Sequence, residues 1–146
     1  MSDSQRFPVA AHALAYLAHK GAFSPQAAVS SAELACSVPT NPVVVRRATA
    51  MLAKAGLIGT RTGAGGGAWL KRPAESITLD EVLHAVNGCA HLGAPPAGAQ
   101  GCPVGERIPK AVKNALELVD RAARETLSRI TVADLLNAQD DGAEAA

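Results

Sequence analysis

Aromatic residues are nearly absent from this chain of 146 residues, which holds two Phe, one Tyr and one Trp. No core can be built here around large rings. Alanine instead fills 31 positions, a composition that suits helices whose backbones approach closely through small side chains. Cysteine is scarce too, three residues in all; an odd count without a dense framework excludes a disulfide-stapled scaffold and fits a reduced cytoplasmic protein. No apolar run reaches the roughly 18 residues of a membrane span. Met1–Arg6 lack the basic and apolar regions of a secretion signal. The run Gly63-Ala64-Gly65-Gly66-Gly67 is followed by Ala68-Trp69 rather than by Gly-Lys-Ser/Thr, so it is no phosphate loop, and there is no Gly-x-Ser-x-Gly elbow. The chain is not read as an enzyme. Its 48% hydrophobic and 18% charged residues suffice for one folded domain, or a small domain with an appendage.

Net charge is only +1, but the charge is unevenly placed. Between residues 31 and 73 stand Arg46, Arg47, Lys54, Arg61, Lys71 and Arg72 against Glu33 alone, whereas residues 74–146 carry eleven acidic groups against six basic ones. Positive charge gathered in one stretch of a weakly charged protein is the footprint expected of a nucleic-acid reader. A solvated face charged by chance is the other reading of the same residues.

The expected fold is mainly α with a small β-wing. A winged helix-turn-helix spans residues 1–75, a connecting helix and cysteine-containing loop 76–107, a dimerisation helix and terminal helix 108–138, and a disordered acidic tail 139–146. Arg6–Lys20 reads as a first helix, with Val9, Ala13, Tyr16 and Leu17 at helical spacing. Ser31–Cys36 makes a short second helix with a cap-like serine. Asn41 is a good N-cap and Pro42 an ideal first helical residue, so a third helix runs from there to Ala55 and ends at Gly56. Leu57–Thr62 and Ala68–Arg72 are strand-like and flank the glycine tip. A basic hairpin directly after a helix-turn-helix is a wing.

Thr78 and Glu81 form a capping box that opens a helix to about Val86. Asn87–Arg107 reads as an irregular loop, and Ile108–Arg129 as a long helix. There Ile108, Val112, Ala115, Val119, Ala122 and Thr126 step by four and three, a heptad seam. Leu116, Ala123, Leu127 and Ile130 make a second apolar stripe. One stripe can face its own domain and the other a second copy, so a homodimer is expected. Thr131 and Asp134 cap a last short helix.

On the third helix, spacing assigns Val44, Ala48, Met51, Leu52 and Ala55 to the core. That turns Arg46 almost directly outward, puts Arg47 at the border and sets Lys54 beside Val43 and Ala50. Arginine is the side chain best shaped for bidentate contact with guanine or phosphate. Asn41 and the first free N–H groups of the helix suit a phosphate oxygen, and Arg61 and Lys71 would reach backbone or minor groove from the wing. Double-stranded DNA is therefore the expected partner, with Thr40, Asn41, Val43, Arg46, Arg47, Lys54, Arg61 and Lys71 as candidate contacts. A winged helix used only for protein contact, the rival reading, has no reason to collect this charge.

Several segments together resemble the BadM-type (Rrf-two) family of winged-helix transcriptional regulators. They are Thr40-Asn41-Pro42-Val43-Val44-Val45-Arg46-Arg47, Leu52-x-Lys54-Ala55-Gly56-Leu57-Ile58, Gly65-Gly66-Gly67 and Leu70-x-Arg72-Pro73. Ile77–Val82, Cys102-Pro103-Val104-Gly105 and Ile130–Leu136 continue the match, which runs from Arg6 to Leu136. The resemblance implies a homodimer with crossing C-terminal helices that sets two recognition helices and two wings on a palindromic operator, usually as a repressor.

Two departures stand out. Members tend to carry Tyr or Phe directly after the glycine pair, where this chain has Ala68; its Trp69 comes one residue later and so on the opposite strand face, and the wing is expected to pack differently. Members that hold an iron–sulfur cluster resemble this chain at Cys89 and Cys102 but place a further cysteine between them, and Ala90–Gly101 contains none. A [2Fe-2S] cluster wants a full set of thiolate or histidine ligands, and the family pattern does not license His84 or His91, so no cofactor or metal is expected, with a [2Fe-2S] sensor through Cys89 and Cys102 as the lesser alternative. A thiol switch through Cys89 and Cys102 is the alternative sensing chemistry.

Overall fold

Helix α1 (Arg6–His19) is the hub of the structure. Its Ala10, Ala13, Leu14 and Leu17 are fully buried, and the small alanines let α3 (Pro42–Lys54), α4 (Leu79–Asn87) and α6 (Val132–Asn137) close around it. The computed structural model describes residues 5–38, 40–87 and 92–138. The other elements are α2 (Ser31–Ser37), the antiparallel strands β1 (Ile58–Arg61) and β2 (Gly67–Leu70), and α5 (Pro103–Leu127), with short 3₁₀ turns at Pro25–Ala27 and Ala74–Ser76. This is the expected order: a winged helix-turn-helix, then a long helix. The acidic tail, Cys89 and His91 lie outside the described residues.

The helix boundaries follow from side chains that satisfy the orphan donors of first turns. The cap of α2 is Ser30, one residue before the serine expected: its Oγ accepts the Glu33 N–H at 3.1 Å. Thr78 Oγ1 accepts the Glu81 N–H at 3.3 Å while Glu81 Oε2 accepts the Thr78 N–H at 3.0 Å, and Thr131 and Asp134 repeat this reciprocal box at α6.

The long helix begins at Pro103, five residues before the expected Ile108, because Cys102 serves as its N-cap: the sulfur accepts the Gly105 N–H at 3.4 Å. Pro103–Arg107 therefore belong to the helix and not to the loop. Its 25 residues extend about 38 Å, and Val104 adds one turn to the seam. No α5 residue is buried. The half-buried Leu127, with Ile130 just beyond the helix, packs against the core, and two backbone bonds, Leu79 N–H to Ile130 O (2.8 Å) and Val132 N–H to Ile77 O (2.9 Å), fasten the C-terminal end of α5 to the start of α4.

In the wing, Ile58 pairs with Leu70 and Arg61 with Gly67. Val29 adds a third edge: its N–H reaches Ala68 O at 2.9 Å and its carbonyl accepts the Ala68 N–H at 2.8 Å. A side chain at Gly67 would collide with that Val29 carbonyl. Ala68 points into the core, and Trp69 on the other face lies across Gly59, where a Cβ would overlap the indole. The indole of Trp69 fills the space that Gly59 leaves open.

Arg72 ties the root of the wing to α4. Its guanidinium meets the Glu81 carboxylate twice, at 2.8 and 3.2 Å, and also donates to the Ser76 carbonyl. Arg72 holds the Glu81 carboxyl below its ordinary value of 4.5, with help from the Thr78 N–H. A carboxylate whose folded pKa is depressed stabilises the fold above its unfolded pKa, and this is lost as pH falls through the lower folded value. The pair is part-exposed, so the effect is about 1 kcal/mol or less. In thermal melts at neutral pH and at about pH 3.5, Glu81→Gln should therefore lose less stability on acidification than the unsubstituted protein.

Candidate nucleic-acid interface

Helix α3 is seated by Val45, Ala48, Thr49 and Leu52, which are buried. The inward stripe differs from the expected one. Val45 takes the place given to Val44, Thr49 joins it, Met51 is half-buried, and Ala55 is exposed. The helix packs on α1, α2, α4 and β1, so its inward line is set by several neighbours at once. Buried Thr49 is satisfied locally, its hydroxyl donating to Arg46 O at 3.0 Å.

This rotation reassigns the arginines. At about 100° per residue, the residues farthest from the buried line are Val43, Arg47, Ala50 and Lys54, all exposed. Arg46 is not opposite the core; it lies on the flank of α3 that faces the wing. There it lines a cleft of about 410 Å³ together with Ser31, Thr49, Thr60, Arg61 and Thr62. Arg61 Nη2 donates to Gly65 O at 3.2 Å and to Pro25 O at 3.4 Å, so its guanidinium lies along the wing.

Other candidates fall elsewhere. The free N–H groups expected at the start of α3 are taken: Pro42 has none, Asn41 Oδ1 accepts from Val43 at 2.9 Å, and Asn41 O accepts from Val44 at 2.9 Å. The Asn41 amide nitrogen and the helix dipole remain. Half-buried Thr40 directs its N–H to Val38 O at 2.6 Å. Lys71 sits at the root of the hairpin beside Phe23 and Pro73, its N–H bonded to Leu57 O at 3.2 Å. Four strand steps, about 13 Å, separate it from Gly67, and the structure does not bring it to the cleft.

The single carboxylate of the 31–73 stretch is engaged with α1. Lys20 lies 3.1 Å from Glu33 Oε1 and the Tyr16 hydroxyl donates to the same oxygen at 3.0 Å, which holds the Glu33 carboxyl low and raises both partners. His12 Nε2 and Ser37 Oγ, 2.9 Å apart, add a second polar bond between α1 and α2. These cross-links escaped the sequence reading, since 17 and 25 residues separate the partners.

Of the cysteines, Cys36 is exposed on α2 and Cys102 caps α5. Among the described residues no group of three or more His, Cys, Asp or Glu is gathered into a metal-binding set, and no helix is long and apolar enough to cross a membrane.

The chain matches a family model described as "Rrf2: Iron-dependent Transcriptional regulator" over residues 3–138. It is similar to the HTH-type transcriptional regulator YwnA of Bacillus subtilis (strain 168), 36% identical over 135 residues that cover 92% of this chain and 96% of YwnA. A solved structure described as a DNA-binding protein is 36% identical, with a TM-score of 0.69, and the match covers 90% of this chain and 99% of that one. T. potens IscR, at 23% identity and a TM-score of 0.64 over 97% of this chain and 89% of its own, shares the fold. For the iron of the family description, the sequence offers three cysteines, Cys36 on α2, Cys102 at the start of α5 and Cys89 outside the described residues, with no further cysteine between Ala90 and Gly101.

Proposed function

Because this chain belongs to the Rrf2 family of transcriptional regulators, we propose that it acts in the cytoplasm as a homodimeric repressor that binds a palindromic operator in double-stranded DNA. The observation that carries this reading is the shape and charge of one surface. A capped helix exposes Val43, Arg47 and Lys54, and Arg46 and Arg61 both line the cleft between that helix and a glycine-tipped wing. Asn41 and Thr40 at the helix start and Lys71 at the wing root complete the proposed contacts.

Dimerisation is supported by α5. Its second stripe turns toward its own domain, leaving Leu116, Ala123 and Leu127 half-buried, whereas Ile108, Val112 and Val119 on the heptad seam are 50%, 40% and 49% exposed. A second copy of the same helix fits that seam. In this reading the regulator carries no resident cofactor, because the chain's own ligand set is incomplete.

The test is a selection of bound sequences from random duplex DNA by the purified protein. A two-fold symmetric motif with half-sites one or more helical turns apart, about 34 Å per turn, is the expected result. Placed upstream of a reporter, that motif should be silenced by the protein. No enrichment, or enrichment of a motif without symmetry, would contradict the proposal.

A further inference from the structure

We propose a division of labour among the arginines of this surface: Arg46 and Arg61 clamp one backbone phosphate in the cleft between α3 and the wing, while Arg47 and Val43 read base edges. This rests on the DNA-binding reading above and goes beyond it in assigning each side chain its target.

The argument begins with the shape of a duplex. A ridge of phosphates separates the major groove from the adjacent minor groove. When a helix lies in the first and a hairpin lies over the second, that ridge must pass between them. Here the space between α3 and the wing is the cleft of about 410 Å³. Arg46, Arg61, Ser31, Thr60 and Thr62 line it, and no acidic residue is among its lining residues. Arginine and hydroxyl donors are the groups that hold phosphate oxygens and fix register without carrying sequence information. The bonds from Arg61 to Gly65 O and Pro25 O hold its guanidinium at the wing, with its other N–H groups left to donate.

Arg47 is differently placed. It is exposed, has no hydrogen bond or ion pair among the described residues, and stands on the outermost line of α3 one turn after Val43, which is 41% exposed. A side chain on that line meets the floor of the groove, and one on the flank meets its wall. Arginine pairs bidentately with O6 and N7 of guanine, and an apolar side chain packs on the methyl of thymine. Each operator half-site should accordingly contain a guanine and a thymine within a base pair or two of each other.

The experiment measures affinity for the selected operator and for a scrambled duplex of equal length, over a salt series, using the full chain and Arg46→Ala, Arg61→Ala and Arg47→Ala. All three positions are exposed, and coincident circular-dichroism melts would establish that each variant is folded. Arg46→Ala and Arg61→Ala should weaken both duplexes by the same factor and lower the salt slope by about one per protomer. Arg47→Ala should weaken operator binding about 5- to 150-fold per half-site and leave the scrambled duplex far less affected, with relaxed preference at the guanine. The inference is overturned if Arg46→Ala collapses the ratio between the two duplexes, or if Arg47→Ala weakens them equally. Absence of duplex binding by the unsubstituted protein is a separate outcome that sinks the underlying reading along with it.

Discussion

Replacing Val112 and Val119 together by glutamate should yield a folded monomer. Both side chains stand on the exposed seam of α5, a helix with no buried residue of its own, so the charges cost the isolated subunit little. In a seam packed against its own copy, each glutamate becomes a buried, unpaired charge, a penalty of about 3–5 kcal/mol. Light scattering coupled to gel filtration should report twice the subunit mass for the unsubstituted protein and a single subunit for the variant. Losing the second half-site removes the gain from linked binding, so operator affinity should drop about 10²–10⁴-fold. A variant that remains dimeric would show that some other surface joins the copies.

Salt should have an effect of similar size. Five basic side chains per subunit, Arg46, Arg47, Lys54, Arg61 and Lys71, are exposed on or beside α3 and the wing, whereas Arg72 is engaged with Glu81. A dimer doubles that number. For 6–10 phosphate contacts, counterion release predicts a loss of about 10³–10⁵ in affinity between 50 and 200 mM salt. Fluorescence anisotropy with a labelled operator measures it directly. A decrease of less than about tenfold over that range would mean that few of these cations reach phosphates.

What the sequence disclosed was local. Asn41-Pro42, Thr78 with Glu81, Thr131 with Asp134, and the glycine tip of the wing each act within a few residues, and each formed as expected. What it concealed was decided at a distance. The turn of α3 that buries Val45 and moves Arg46 to the flank follows from its seating among α1, α2, α4 and β1. The start of α5 was hidden because cysteine is an uncommon N-cap. The Val29 edge of the wing lies nearly forty residues from Ala68, beyond any local signal.

Two backbone bonds fasten the α5 terminus to the start of α4, at the joint between the helix proposed to pair and the winged-helix module. Arg124, 3.4 Å from Asp80, braces the same corner, and Arg72 carries the connection onward to the hairpin. In the proposed assembly the gap between the two reading heads is then a built-in dimension of the protein, like the jaws of a fixed gauge. Operators would be sorted by the distance between their halves as strictly as by the letters within them.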